Sequence, residues 1–583
     1  MYIADFHIHS KYARATSTHC VPEHLAFWAC RKGLQLIGTG DFTHPAWRAE
    51  LREKLVPAEE GLYALREELR LPDACLGETG AAPRFVVSGE ISSIYKKNGK
   101  VRKVHNVILL PSLEDAERLS HRLEQVGNLH SDGRPILGLD SRDLLEITLE
   151  ACAQALFIPA HIWTPHFSLF GAYSGFDDIA ECFEDLTPHI FALETGLSSD
   201  PPMNWRISAL DPYTLVSNSD AHSPGNLARE ANLFNAPLSY PGVVEALRDR
   251  QGTGFAGTLE FFPEEGKYHC DGHRPCKVCL TPAQTRAANG VCPACGGRIT
   301  VGVLHRVEVL ADRPEGFVPP NARAYERLIP LLEILASALG HTAAHKRVGQ
   351  AYEALLSNLG SELHILRQAP LEDVEREAGP LVAEGIRRLR AGQVALQPGY
   401  DGEYGRVSVL TSQERALYSG QLSLLPNADH PAKRAQAAEA PAQQPAKASA
   451  EAKASPKLQL NAAQREAVVA AESVVAVIAG PGAGKTRTLV ERIAHLVGER
   501  GAAPGEITAV TFTNKAAGEM RARLETHFGD AGLTRQLTIG TFHALCLKLL
   551  KASGNLSSLL PEAEALALVA DLAQELRLPQ SPR

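Results

Sequence analysis

No stretch of this 583-residue chain stays apolar for the length that a membrane-spanning helix requires, which excludes an integral helical membrane protein. The opening Met1-Tyr2-Ile3-Ala4-Asp5 has neither the charged start nor the apolar middle of a secretion signal, so the chain reads as cytoplasmic. A dominant charge is lacking too. With a net charge of -8 and a pI near 6.3 there is no global basic signature, and any nucleic-acid surface has to be a local patch of Lys and Arg. The eleven cysteines do not suit a disulfide framework in that compartment, and four of them carry metal-ligand spacing instead. The length exceeds what one core can serve and argues for several domains.

What the chain does have is a scattered set of metal-type side chains: His7-Ile8-His9, Asp41, Glu90, His105, His161 and Asp220-Ala221-His222. Most of them follow short apolar runs that read as strand ends. Residues two apart on an extended strand face the same way, so each His-x-His or Asp-x-His pair offers two ligands to one cavity. Imidazole together with carboxylate suits Zn, Mn or Fe, and a bridging carboxylate lets two ions sit close enough to share an attacking oxygen. A single histidine such as His44, His121, His130 or His166 reads as packed or solvated, whereas the ordered set reads as a metal centre. Across 1–262, strand-like runs at 34–41, 84–90, 106–110, 155–161 and 213–220 alternate with amphipathic stretches such as 113–126. That is the pattern of an α/β barrel with its site at the carboxyl ends of parallel strands.

In this order, His7-x-His9, the polar end of the strand carrying Ile37, Glu90, His105, His161 and Asp220-x-His222 resemble the polymerase and histidinol phosphatase (PHP) domain. The resemblance implies a distorted (β/α)7 barrel with two or three divalent ions (Zn, Mn, Mg or Fe). It also implies that His7, His9, Glu90, His105, His161, Asp220 and His222 are ligands, with Glu90 bridging. Most of that family shows Thr-Asp-His where this chain has Thr39-Gly40-Asp41, and Asp41 takes the ligand place there. Glu194 ends the strand-like Ala192-Leu193-Glu194 and reads either as a ligand or as a structural carboxylate.

Over 263–310 the spacing Cys276-x2-Cys279, twelve intervening residues, then Cys292-x2-Cys295 is a four-thiolate zinc pattern. Gly296-Gly297 fits the knuckle turn that lets the backbone approach sulfur. Cys270 and His273 lie nearby, so the choice of ligands is not unique. Four protein ligands leave no open coordination position, which makes this zinc structural and the ribbon a nucleic-acid or domain-packing module.

The barrel residues Ala4-Asp5-Phe6-His7-Ile8-His9-Ser10, Gly38-Thr39-Gly40-Asp41-Phe42-Thr43-His44-Pro45 and Asn218-Ser219-Asp220-Ala221-His222-Ser223 combine with the ribbon, Val301-Gly302-Val303-Leu304-His305-Arg306 and Pro398-Gly399-Tyr400-Asp401-Gly402. Together, over roughly 1–410, they resemble endonuclease Q. The resemblance implies nicking of DNA on the 5′ side of deaminated bases or abasic sites, leaving a 3′ hydroxyl. Asp220, a strand-end carboxylate able to hold a metal and accept a proton from the attacking water, is the expected catalytic residue. A deaminated base has to leave the stack to be inspected, and Trp163, Phe167, Phe170 and Tyr173 read either as stacking partners or as packing.

Leucines at 328, 331, 332, 335 and 339 mark a helical region over 311–425 and belong to its core. Arg387-Arg388-Leu389-Arg390 reads as a solvated helix face or a phosphate contact. Gln421-Leu422-Ser423-Leu424-Leu425 resembles the pentapeptide that docks into the bacterial sliding clamp, through Gln421, Leu422, Leu424 and Leu425. The tract 426–457 is Ala, Pro, Gln, Lys and Glu with almost no bulky apolar residue, a composition that predicts a disordered linker.

From 458 the character changes. An apolar run at 474–478 leads into Ala479-Gly480-Pro481-Gly482-Ala483-Gly484-Lys485-Thr486 and then a helical pattern at 489–497. This is a phosphate-binding loop in which glycine N–H groups cradle the phosphates, Lys485 reaches the β/γ oxygens and Thr486 holds Mg. With Leu460-Asn461-x-x-Gln464 before it, and Thr511-Phe512-Thr513-Asn514-Lys515 and Gly540-Thr541-Phe542-His543 after it, 458–583 is similar to superfamily 1 helicases of the UvrD/Rep type. The resemblance implies a RecA-like ATPase, Gln464 on adenine, and Thr513, Asn514, Thr541 and Phe542 toward DNA. No Asp-Glu Walker B pair, arginine finger or second motor lobe follows, so 458–583 reads as the front part of a helicase lobe.

The expectation is therefore an α/β nucleolytic barrel, a zinc ribbon, a helical region, a linker and a partial helicase. The function expected is DNA repair in the cytoplasm at the nucleoid. A PHP phosphoesterase or 3′-5′ exonuclease with a DNA-targeting ATPase segment is the other reading.

Overall fold

The computed structural model describes residues 1–72, 82–411, 414–415, 460, 462–471, 475, 477, 485–511, 514–529, 531–542 and 544–546. It divides into two compact units, Met1–Asp429 and His430–Arg583. Gln421, Leu422, Leu424, Leu425, the tract 426–457, the loop residues Ala479, Gly480, Pro481, Gly482, Ala483 and Gly484, and Thr513 lie outside the described residues. Among the described residues no helix is long and apolar enough to cross a membrane.

The first unit is mixed α/β. Its strands are β1 (Tyr2–Asp5), β2 (Leu36–Gly38), β3 (Leu55–Pro57), β4 (Tyr63–Leu65), β5 (Arg84–Lys97), β6 (Lys100–Leu110), β7 (Ile136–Leu137), β8 (Leu156–Pro159), β9 (Ala192–Glu194), β10 (Thr214–Val216), β11 (Ala231–Phe234) and β12 (Phe255–Glu260). β1 runs parallel to β2, and β2 parallel to β5. The sheet turns antiparallel at β1–β11, β11–β12, β5–β6 and β6–β8, while β9 and β10 form a separate parallel pair. The all-parallel arrangement expected from the sequence is thus met only in part. The cause is local: Asn98 and Gly99 connect Lys97 to Lys100 with both φ angles positive, 54° and 72°, which closes a two-residue hairpin and makes β5 and β6 one long antiparallel ribbon. Glu90 and His105 consequently sit mid-strand rather than at strand ends. His105 pairs across from Ser92, two residues beyond Glu90 on the same face, so the two side chains are diagonal neighbours.

Apolar residues from the strands, among them Phe6, Ile37, Phe85, Ile108, Phe157 and Leu193, are fully buried and fill the interior beneath the strand ends. After β12 the chain makes the hairpin β13 (Asp271–His273) with β14 (Val278–Leu280), a short helix Pro282–Ala287 held by a Thr281/Gln284 capping box, and the helix Val303–Leu310. It then returns to the main sheet as β15 (Ala324–Arg327), parallel to β12.

The helical region follows as Leu331–Leu339, Lys346–Leu359, Glu362–Arg367, Leu371–Ala378 and Pro380–Arg390. Leu328, Leu331 and Leu335 are buried there and Leu332 and Leu339 pack against that core, as their spacing predicts. Of the arginines at 387–390, Arg387 and Arg390 are exposed, as a solvated face predicts, but all three side chains are engaged within the helical region. Arg390 donates to the carbonyls of Ile365, Leu366 and Ala369, and Arg388 binds Glu384, Glu414 and the Val409 carbonyl. Arg387 pairs with Glu384.

One buried polar knot fastens this region to the first helix of the unit, Pro22–Lys32. Glu362 accepts from Lys32 Nζ at 2.7 Å, from the Tyr352 hydroxyl at 2.7 Å and from the Leu331 amide at 3.0 Å. Neither charge is solvated, with side-chain exposures of 5% for Lys32 and 4% for Glu362.

In the second unit the strands Thr508–Thr511 and Thr538–Thr541 run parallel, and Val490, Ile493, Met520, Leu524 and Ile539 form its core. The helices Ala462–Val469, Lys485–Gly498, Asn514–Phe528 and Ala531–Gln536 and the short 3-10 turn Pro504–Glu506 accompany them.

Taking one partner from a buried ion pair strands the other charge. Lys32→Met, which strands the Glu362 carboxylate, and Glu362→Gln, which strands the Lys32 ammonium, are each expected to destabilise the first unit by about 3–5 kcal/mol, read as a lower urea midpoint.

Candidate metal centre

Glu90 organises the site. Its carboxylate is completely buried, and its two oxygens face different groups. Oε1 lies 2.5 Å from His105 Nδ1 and 3.0 Å from His161 Nε2. Oε2 lies 3.4 Å from His9 Nε2 and 3.6 Å from His7 Nε2. Asp220 Oδ1 completes the second group at 3.1 Å from His9 Nε2 and 3.7 Å from His7 Nε2. The candidate ligand atoms of His7, His9, Glu90 and Asp220 fall within 4.8 Å of one another, as do those of Glu90, His105 and His161. Donors around one ion at bond lengths of 2.0–2.2 Å stand roughly 3 Å apart, so both groups have the spacing of a coordination sphere.

The chain reaches this geometry by laying two segments side by side. The His9 amide donates to the Ala221 carbonyl, and Ile8 bridges Ala221, which carries Asp220 up to His7 and His9. Where the segments leave their strands the backbone is strained: Asp41, His161 and Asp220 hold φ of 48°, 29° and 47°, a region non-glycine residues seldom occupy.

Two further carboxylates sit behind the histidines. Both oxygens of Glu194 lie 3.0 Å from His7 Nδ1, and Glu194 also accepts from Asn218 Nδ2 and the His161 amide at 2.8 Å. Asp41 Oδ1 lies 3.0 Å from His9 Nδ1, while its Oδ2 accepts from the Ser10 amide and hydroxyl at 2.6 Å. Each carboxylate is placed to accept a hydrogen bond from Nδ1–H, which leaves Nε2 turned toward Glu90 and Asp220, the tautomer a metal requires. Asp41, expected as a ligand, is therefore outside both gathered groups and acts through His9. Glu194 is the structural carboxylate of the two sequence alternatives. His222 stands at the rim, its ring 4.5 Å from that of His9 and its Nδ1 2.9 Å from the Asp220 carbonyl, and it too lies outside both groups.

The field fits dications. His7 Nε2 is buried with no hydrogen-bond partner, an orphan that a metal would satisfy. Burial works against ionising Glu90, yet its interactions with His105, Arg134 and His7 outweigh it and hold its carboxyl well below the usual range. Asp220 is likewise lowered against burial, by His9 and His7. Burial pushes His105 down to about 4 in spite of Glu90, leaving a neutral imidazole with a lone pair to give.

Of the aromatic candidates, Trp163 and Phe170 are buried and pack on each other, with Trp163 Nε1 donating to Asn204 Oδ1, so they belong to the core. Phe167 lies 5.0 Å from the His105 ring, and Tyr173 is exposed and stacked on His166.

Comparison with solved structures bears on the whole first unit. The lesion-specific endonuclease PfuEndoQ from Pyrococcus furiosus is 30% identical, with a TM-score of 0.62 over 72% of this chain and 98% of that chain. This chain belongs to the endonuclease Q family. A second endonuclease Q structure, a complex with a 27-mer duplex substrate holding an abasic lesion at the active site, is 29% identical with a TM-score of 0.61, covering 72% of this chain and all of that one. The UvrD/REP helicase N-terminal domain matches residues 460–578, and the MJ0043 C-terminal domain matches 330–393. UvrD1 of Mycobacterium tuberculosis, an ATP-dependent DNA helicase, is 46% identical over 92 residues, which are 16% of this chain and 12% of that helicase. The endonuclease Q unit is thus joined to the front of a UvrD/Rep-type helicase domain.

Within the endonuclease Q unit the ribbon gathers His273, Cys276, Cys292 and Cys295, not the four cysteines of the sequence pattern. The register of β13 and β14 explains the exchange. Gly272 opposes Cys279 and His273 opposes Val278, so His273 and Cys279 face opposite sides of the hairpin. Cys279 turns instead to the thiol of Cys270. The missed signal is a second two-residue spacing, His273-x2-Cys276, overlapping the Cys276-x2-Cys279 that was weighted more heavily. The knuckle itself is as expected, with Gly296 at φ 72° and the Gly297 amide donating to Cys295 Sγ at 3.4 Å.

In the helicase unit, Lys485 opens the helix Lys485–Gly498 and Thr486 is exposed on its first turn. Gln464 lies half-buried on Ala462–Val469 and Asn514 opens Asn514–Phe528. Thr541 ends a strand with its hydroxyl accepting from the Ala544 amide, and Phe542 is 68% exposed.

Substituting the supporting carboxylates, Asp41→Asn or Glu194→Gln, is expected to weaken manganese binding by about 10–100-fold in chelator competition, with circular dichroism unchanged. His273→Ala should lose the ribbon zinc in elemental analysis, while Cys279→Ser should retain it.

Proposed function

We propose that this chain is a metal-dependent DNA endonuclease that nicks on the 5′ side of deaminated bases or abasic sites, leaving a 3′ hydroxyl, in cytoplasmic DNA repair. The reading rests above all on the Glu90 carboxylate, whose two oxygens serve two separate groups of ligand atoms. An endonuclease Q solved with an abasic duplex at its active site supports the substrate class. The strands would form the PHP-type distorted barrel, with His7, His9, Glu90, His105, His161 and Asp220 holding two divalent ions and His222 closing on a third or on substrate.

Ions held there lower the pKa of an attacking water and offset charge on the leaving oxygen. The protein's own groups divide the remaining work. Glu90 is sealed from solvent and can only hold and bridge, whereas the Asp220 carboxylate is 30% exposed and can accept the water's proton at the mouth. Glu194 and Asp41 keep His7 and His9 in a single tautomer throughout. The lesion would be read outside the stack, where mispairing lowers the cost of extrusion. Phe167 and Tyr173 are the aromatic groups near enough to the surface to receive it.

A zinc held by the ribbon would be structural, with the ribbon serving as a nucleic-acid or domain-packing module. The helicase unit binds ATP with Mg through Lys485 and Thr486 and serves 3′-5′ unwinding, and Gln421-Leu422-Ser423-Leu424-Leu425 tethers the protein to the sliding clamp.

Duplexes containing one deoxyinosine, one deoxyuridine or one abasic site, incubated with the protein and Mn or Mg, should be nicked 5′ to the lesion. Asp220→Asn should reduce the rate by at least about 10²–10⁴-fold, the range for a positioned proton acceptor. Mononucleotides released from duplex ends would point to the exonuclease reading instead.

A further inference from the structure

Among the described residues, Arg134 is the one Lys or Arg side chain paired with a carboxylate of the metal centre. Its Nη1 donates to Glu90 Oε2 at 3.0 Å. Its position is central, because its charge acts on His105 on one flank and on His222 and Asp220 on the other.

The loop that carries it is rigidly held. The Gly133 amide donates to the Tyr12 carbonyl, and the Gly133 carbonyl accepts from the Thr43 hydroxyl. The Arg134 amide donates to Asp132 Oδ1 at 3.2 Å, and the Pro135 carbonyl accepts from Ser92. β7 then pairs with β5. Gly133 has no room for a side chain: a Cβ there would stand 2.4 Å from Asp41 Oδ2. The backbone that presents the guanidinium is thus held by packing and hydrogen bonds that do not involve its charge.

Only one of its five donors has a partner. Nη1 meets Glu90, while Nε and the rest of the fork have none among the described residues, and the side chain is 26% exposed. With dications in place, Glu90 would not depend on an arginine for neutralisation. With dications held by Glu90 and Asp220, a guanidinium in this place would face like charge, which an anion lying between them offsets. A planar fork with free donors matches the paired oxygens of a phosphate.

We propose that Arg134 binds the non-bridging oxygens of the scissile phosphodiester and stabilises the charge that gathers there as the P–O bond breaks. This rests on the phosphodiesterase reading of the same centre and adds the residue that grips the reacting group.

The test uses the full chain loaded with manganese, titrated with inorganic phosphate, as wild type, Arg134→Gln and Arg134→Lys. Arg134→Gln should weaken phosphate binding about tenfold or more at unchanged manganese stoichiometry and melting temperature. Arg134→Lys, which keeps the charge but not the fork, should fall between. On lesion duplexes Arg134→Gln should lose about 10²–10³-fold in kcat, as for one lost charge-stabilising donor, with little change in KM. Phosphate affinity equal in wild type and Arg134→Gln, or no phosphate binding by the wild type, overturns the proposal. So does manganese lost in Arg134→Gln and restored in Arg134→Lys, which would make the arginine a prop for Glu90. Failure of the wild type to nick lesion duplexes would defeat the substrate reading and leave the phosphate result standing.

Discussion

A fully buried carboxylate in the middle of a β-ribbon is a liability unless hydrogen-bond donors, positive charge or bound cations surround it, and the first unit is arranged around meeting that demand at Glu90. Removing such a group from water costs several kcal/mol, which its partners have to offset with good geometry. Four histidines and one arginine lie within 3.6 Å of its oxygens. They arrive from four different parts of the sheet and its loops. The parallel step from β1 through β2 to β5 sets His7 and His9 beside it, the β5–β6 hairpin supplies His105 from the same ribbon, and β8 ends just before His161.

Around this nucleus the chain builds outward by hydrogen bonds that fix orientation more than they add attraction. Asn218 shows the pattern: its Oδ1 accepts from the Phe6 amide and from Asn232, while its Nδ2 donates to Glu194. One side chain thereby ties β1, β11 and the segment after β10 to the carboxylate that orients His7. The left-handed backbone at Asp41, His161 and Asp220 is strain of a kind that persists only where such bonding over-determines the conformation.

Much of this was legible in the residues themselves, and what was not has identifiable causes. The paired spacing of His7 with His9, and the order of Glu90, His105, His161 and Asp220, carry the metal centre because period-two geometry needs no tertiary knowledge. Asp41 looked like a ligand since composition cannot separate a carboxylate that binds metal from one that binds the far nitrogen of a histidine. Asn98-Gly99 is a strong hairpin signal on its own, but an expectation of parallel strands hid it. His273 displaced Cys279 for a reason only cross-strand register supplies, namely which face of a hairpin each residue occupies. Arg134 has no motif at all, being brought to Glu90 by a loop whose conformation depends on the glycine before it.

The distances in sequence between partners at the centre bear on how the protein is born. His7 and Glu194 are 187 residues apart, and His9 and Asp220 are 211 apart. At ribosomal speeds a separation of that size takes roughly 10 to 40 s to synthesise. Through that interval the first two histidines have emerged without the carboxylates that orient them, so the nascent chain offers no preformed pocket that would capture a stray ion. Ion capture therefore waits on folding of nearly the whole sheet, and the choice of metal is made by a finished cavity instead of by whichever ion first meets the emerging amino terminus.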